Sequence, residues 1–86
     1  MRQDIINSAI DRHFPSNKGA FKVGDYAGKD MKPFMYMDCY CPNRDLRIAP
    51  VWVALFVLRN YPDVEYIKYY DRIFTRETLR RSGRKL

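Results

Sequence analysis

The sequence predicts a small α+β domain, an antiparallel sheet of three to four strands with flanking helices in the approximate order α-β-β-(β)-α-β-α. Three observations predict it. The 86 residues have room for one compact domain with one modest core. An apolar fraction of 47% with 15% aromatics is too hydrophobic for a disordered chain despite the high charge. The spacing of the apolar residues also changes along the chain, from helical to alternating and back.

The first element is an amphipathic helix. Ile5, Ile6, Ala9, Ile10 and His13 recur at the spacing of one helical face, with Asp4, Asn7, Asp11 and Arg12 largely outside it. Phe14-Pro15 and the Ser-Asn-Lys-Gly that follows end it. Ala20 to Tyr26 alternates, with Phe21 and Val23 on one side and Lys22 on the other. After the turn AGKDMKP, the segment PFMYMDCYC forms a second strand ending at Pro42-Asn43, and a hairpin is the simplest connection. Leu46 to Ala49 offers an optional further strand.

Pro50 then opens VWVALFVLRNY, read as a buried helix because proline suits a first turn and Ala54, Leu55 and Leu58 favour helix, while Val51, Val53 and Val57 pull towards a buried strand. Val64 to Phe74 is crowded with β-branched and aromatic residues and reads as one strand. Thr75 can cap a short helix reaching Arg81, which Ser82-Gly83 ends. A single helix from Asp63 is the competing reading. Residues 1–74 thus form a compact α+β core, with 75–86 a basic helix or tail attached to the same domain.

The stretch MYMDCYC decides between chemistry and packing. In a strand, Met35, Met37, Cys39 and Cys41 share one face, and Phe34, Tyr36, Asp38 and Tyr40 the other. A sulfur-rich face suits a sheet interior, since Met fills irregular gaps and reduced Cys acts as a small hydrophobe. A disulfide between strand positions i and i+2 is poorly aimed. A zinc site needs two more ligands, and His13 is the only imidazole. Two Met and two Cys would suit Cu(I), but a compact loop would present them better than a strand. No metal and no other cofactor is expected.

The opposite face is aromatic. Phe34, Tyr36 and Tyr40 either pack under a helix or lie on an open sheet, where several folds stack unpaired bases. Tyr61, Tyr66, Tyr69 and Tyr70 surround Lys68 and lead into a basic segment. Up to Asp71 the chain carries ten Lys/Arg against nine Asp/Glu. From Arg72 onward, Arg72, Arg76, Arg80, Arg81, Arg84 and Lys85 face Glu77 alone, so nearly all of the +6 net charge is terminal. In a helix, Arg72, Arg76 and Arg80 would form one stripe. Guanidinium forks suit phosphates and carboxylates.

No active site is legible. Gly19, Gly24 and Gly28 match no phosphate-loop fingerprint, and no nucleophile elbow or thiol-catalyst signature appears. Nothing marks a leader segment, and the longest apolar run, Val51 to Leu58, is too short for a bilayer span. With two cysteines and no leader, a cytoplasmic, reduced protein without membrane contact is expected.

Two functions fit these residues. The first is a non-catalytic protein binding RNA or single-stranded nucleic acid with low sequence specificity. Arg72, Arg76, Arg80, Arg81, Arg84, Lys85 and Lys68 would meet phosphates, and Tyr36, Tyr40, Tyr69 and Tyr70 would stack on bases. The alternative is an inhibitor or adaptor that docks the same Arg/Tyr surface on a larger protein with an acidic or nucleic-acid-binding surface. The small, basic, aromatic-rich chain is similar in this to phage-encoded inhibitors of host enzymes, and that resemblance implies the second reading.

Overall fold

The structure is a computed structural model and describes residues 2–27, 33–39 and 49–86. Its elements are α1 (Arg2–His13), β1 (Phe21–Ala27), β2 (Pro33–Cys39), α2 (Pro50–Asn60), β3 (Tyr66–Tyr69), β4 (Arg72–Thr75) and α3 (Arg76–Arg81), with a 3₁₀ turn at Pro15–Asn17. The α+β class is as expected. Among the described residues no helix is long and apolar enough to cross a membrane.

The strands form one sheet in the order β1-β2-β3-β4. Two hairpins, β1–β2 and β3–β4, are antiparallel, but β2 and β3 run parallel, with Met35 opposite Ile67 and Tyr36 opposite Lys68. The sheet is therefore mixed, which corrects the antiparallel expectation. Helix α2 lies in the connection from β2 to β3, and a helical crossover joins parallel neighbours.

One face of the sheet meets the helices. Phe21 and Val23 of β1, Met35 and Met37 of β2, Ile67 of β3 and Phe74 of β4 are buried against Ile6 and Ile10 of α1 and Val53, Ala54, Val57 and Leu58 of α2. The methionines are fully buried, as the alternation of β2 requires. Helix α1 turns a slightly different face inward than its spacing suggested: Ile6 and Ile10 are buried, while Ile5 and His13 are exposed.

The final third departs from one strand followed by a helix. Val64 to Phe74 breaks into a hairpin at Tyr70-Asp71, with Tyr70 in the left-handed region at φ 53°. Thr75 then caps α3 as expected: its side chain accepts from the Thr78 N–H, and the Thr78 side chain accepts from the Thr75 N–H. Leu79 of this helix is buried in the main core, so α3 packs as part of the domain. The helix ends where the Gly83 N–H donates to Arg80 O and the Arg84 N–H to Leu79 O. Gly83 takes the positive φ of 87° that this closure demands. The expectations for Tyr40, Cys41 and Leu46 to Ile48, and for the Cys39 side chain, lie outside the described residues.

Candidate nucleic-acid interface

The helices pack on one sheet face, and among the described residues nothing covers the other. The even positions of β1, β2 and β3 and the odd ones of β4 share this face, and the register aligns them. Gly24 pairs with Tyr36, Tyr36 with Lys68, and Lys68 with Ile73, while Tyr26 pairs with Phe34. All of these lie opposite the buried set. Tyr26 is 65% exposed, Ile73 54% and Tyr36 36%, and Lys22, Asp38 and Lys68 are exposed as well.

The aromatic side chains form a row across three strands. Tyr26 and Phe34 lie with ring centroids 5.3 Å apart, and Phe34 and Tyr66 4.7 Å apart with planes only 5° from parallel. Phe34 and Tyr66 therefore stack on one another and are half-buried by that contact. Tyr26 and Tyr36 remain the more open rings. Gly24 beside Tyr36 has no side chain, and Lys68 stands on the other flank. The result is a shallow groove of about 370 Å³, lined by Tyr26, Phe34, Tyr36 and Lys68.

 The two hollows are on opposite sides of the molecule. The one on the sheet is the 370 Å³ groove, and that of about 770 Å³ lies on the helical side, lined by His13, Phe14, Trp52, Leu55, Phe56, Arg59 and Asn60.

Asp38, two residues along from Tyr36, shares its face and sets its chemistry. The hydrogen bond between the Tyr36 hydroxyl and Asp38 is the main cause that raises the phenol above its ordinary 10.0, followed by partial shielding from water, the Asp38 charge and the nearness of Tyr70.

The basic segment does not form one stripe. Arg72 belongs to β4 and lies over the Phe74 ring, 4.9 Å from its centroid. Arg76 is turned inward and donates to Val64 O at 2.6 Å, Leu58 O at 2.9 Å and Tyr61 O at 3.0 Å, tying the end of α2 to the start of α3. Arg81 pairs with Glu77 on the helix surface. Arg84 lies over Trp52, 5.4 Å from the ring centroid, and donates to Ser82 Oγ at 2.7 Å. Arg80 and Lys85 are exposed.

The structure therefore brings Tyr36 and Lys68 together and separates them from most of the arginines, which follow α3 onto the helical side. Tyr69 turns inward, half-buried against the core, while Tyr70 is exposed at the hairpin turn, its ring edge-on to Tyr69. Tyr40 is outside the described residues. Sequence reasoning passed over Tyr26, whose parity with Gly24 and Lys22 marks it as outward once Phe21 and Val23 are placed inward. Among the described residues no group of three His, Cys, Asp or Glu side chains is placed to hold a metal. No protein-family model, curated protein or solved structure matches this chain, so geometry carries the functional argument.

Proposed function

We propose that this chain is a non-catalytic binder of RNA or single-stranded nucleic acid with low sequence specificity, and that the uncovered sheet face is its stacking surface. The observation that carries the reading is the groove of Tyr26, Phe34, Tyr36 and Lys68, in which two open rings lie to one side of a cation on a face that no described element covers. Aromatic rings accept any base, whereas base-edge readout needs dedicated polar side chains, so low specificity follows. Lys68 beside Tyr36, and Arg72, Arg80, Arg84 and Lys85 beyond the β4 edge, supply phosphate contacts. Arg76 drops out of this set because three carbonyls occupy its guanidinium.

The test is titration of a labelled, unstructured RNA with nucleic-acid-free protein across a range of salt. Five phosphate contacts predict a slope of log K against log salt of about −3.5 for a single strand. Tyr36→Ala should weaken binding by about tenfold, in line with a stacked base. Absence of binding at low salt retires the proposal.

A second reading has its own observation. The hollow between α1 and α2 holds the half-exposed Trp52 with Phe14, Phe56 and Arg59, and Trp and Arg are the side chains most often found at the centre of protein interfaces. An inhibitor or adaptor would use that side, and its protein would elute free of RNA and be retained by a specific acidic partner.

A further inference from the structure

We infer that the cleft between β4 and α3 is a phosphate-binding site. It measures about 290 Å³, and among the described residues its lining includes Arg72, Ile73, Thr78, Ser82 and Arg84 but no carboxylate. Two guanidinium groups that line one cleft without an acidic neighbour repel each other, and an anion between them removes that cost. The site rests on the nucleic-acid reading only for the source of its phosphate.

Arg84 is held ready for such a ligand. The closure of α3 through Gly83 fixes its backbone, with its N–H on Leu79 O at 3.1 Å. The Ser82 hydroxyl donates to Leu79 O at 2.9 Å and accepts from Arg84 Nη1 at 2.7 Å, while the guanidinium lies over Trp52. Arg84 Nε is buried, with no hydrogen-bond partner among the described residues. The Ser82 and Thr78 hydroxyl protons are already committed, to Leu79 O and Thr75 O, so the two arginines are the donors to the ligand and Ser82 positions one of them.

Ile73 connects this cleft to the stacking face, since it is exposed on the open sheet and also lines the cleft. A strand stacked on Tyr36 and crossing Lys68 and Ile73 arrives at Arg72 and Arg84. The phosphate it delivers is either a backbone diester or a terminal monoester.

Trp52 is the sole tryptophan, and its contact with Arg84 makes its emission a reporter. Inorganic phosphate is titrated against chloride at constant ionic strength, following Trp52 fluorescence and the thermal midpoint. A saturable fluorescence change and a rise in midpoint are expected with phosphate. Arg72→Gln should weaken the apparent affinity about tenfold, as expected for loss of a charge-assisted bond. Arg84→Lys, which keeps the charge and stem but loses the fork, should weaken it too, and Lys18→Gln should leave it unchanged. A response that never saturates, or one that matches chloride, overturns the site. So does a saturable response unaffected by both arginine variants. With RNA, preference for a 5′-phosphorylated oligonucleotide over its hydroxyl form supports a terminal phosphate. Equal binding of the two, with competition by inorganic phosphate, supports the backbone. Saturable phosphate binding with no RNA binding keeps the cleft and retires the nucleic-acid reading.

Discussion

Tyr36 and Asp38 show how a single neighbour tunes an exposed ring. Asp38 accepts the phenol proton in a hydrogen bond and adds its negative charge, so the neutral ring is favoured and its titration moves above 10.0. The unfolded chain loses this proton near the ordinary value, while the folded chain still holds it. The stabilisation is therefore fully present below pH 10.0 and is lost as pH rises through the higher folded value. Site-resolved NMR of 13C-labelled tyrosine should place the Tyr36 midpoint above 10.0. Asp38→Asn should bring it down towards that value. A midpoint that ignores this substitution would mean that the ring and carboxylate do not meet in solution.

At the scale of elements, α1 serves the sheet as an edge cover as well as a core helix. Asn7 accepts the Val23 N–H at 2.8 Å and donates to Val23 O at 3.0 Å, so one amide does for β1 what a neighbouring strand would do. Gln3 accepts from the Asp25 N–H at 3.4 Å farther along. Asn7→Leu keeps the helix but leaves both Val23 groups without partners, at a cost of about 1–3 kcal/mol in chemical denaturation. It should also raise aggregation, because the β1 edge becomes available for pairing. Neither role of Asn7 is legible in the sequence, where it reads as a polar residue outside the apolar face. The division of β1 and β2 into two faces was legible, because strict alternation put Phe21 and Val23 on one face of β1 and Met35 and Met37 opposite Tyr36 on β2, but whether a helix covered the Tyr36 face was not. Helix α2 was legible from Pro50, Ala54, Leu55 and Leu58, and not from its unbroken apolar run, which suits a buried strand as well. The β3–β4 hairpin was not, since its turn at Tyr70 uses a left-handed tyrosine where glycine or asparagine would signal it. Without the hairpin, Tyr69 and Tyr70 could not be assigned to inside and outside, and Arg72, Arg76 and Arg80 looked like one helical stripe.

For the whole molecule the question is whether the basic terminus is an arm or a wall of the domain. Leu79 is 3% exposed, and burying a leucine contributes about 2 kcal/mol. Arg76 satisfies three carbonyls at the end of α2 and beyond, and its charge-assisted bonds contribute about 2–3 kcal/mol more. The Thr75 cap adds about 1 kcal/mol. Against a domain stability of about 5–15 kcal/mol, losing all three removes a large part of what holds the fold. A chain truncated after Phe74 should therefore lose its cooperative urea transition, followed by circular dichroism. A full-length Arg80→Gln, Lys85→Gln variant should keep that transition, because both side chains are exposed. It should flatten the RNA salt slope by about 1.4 through the loss of two phosphate contacts. Were the truncated chain to unfold cooperatively at an unchanged midpoint, α3 would be a detachable arm and the Arg76 contacts would add nothing to stability. The opposite pair of results, collapse on truncation and a flatter slope in the folded variant, assigns the terminus both tasks: its inward side chains hold α2 and β4 together, and its outward cations serve the ligand.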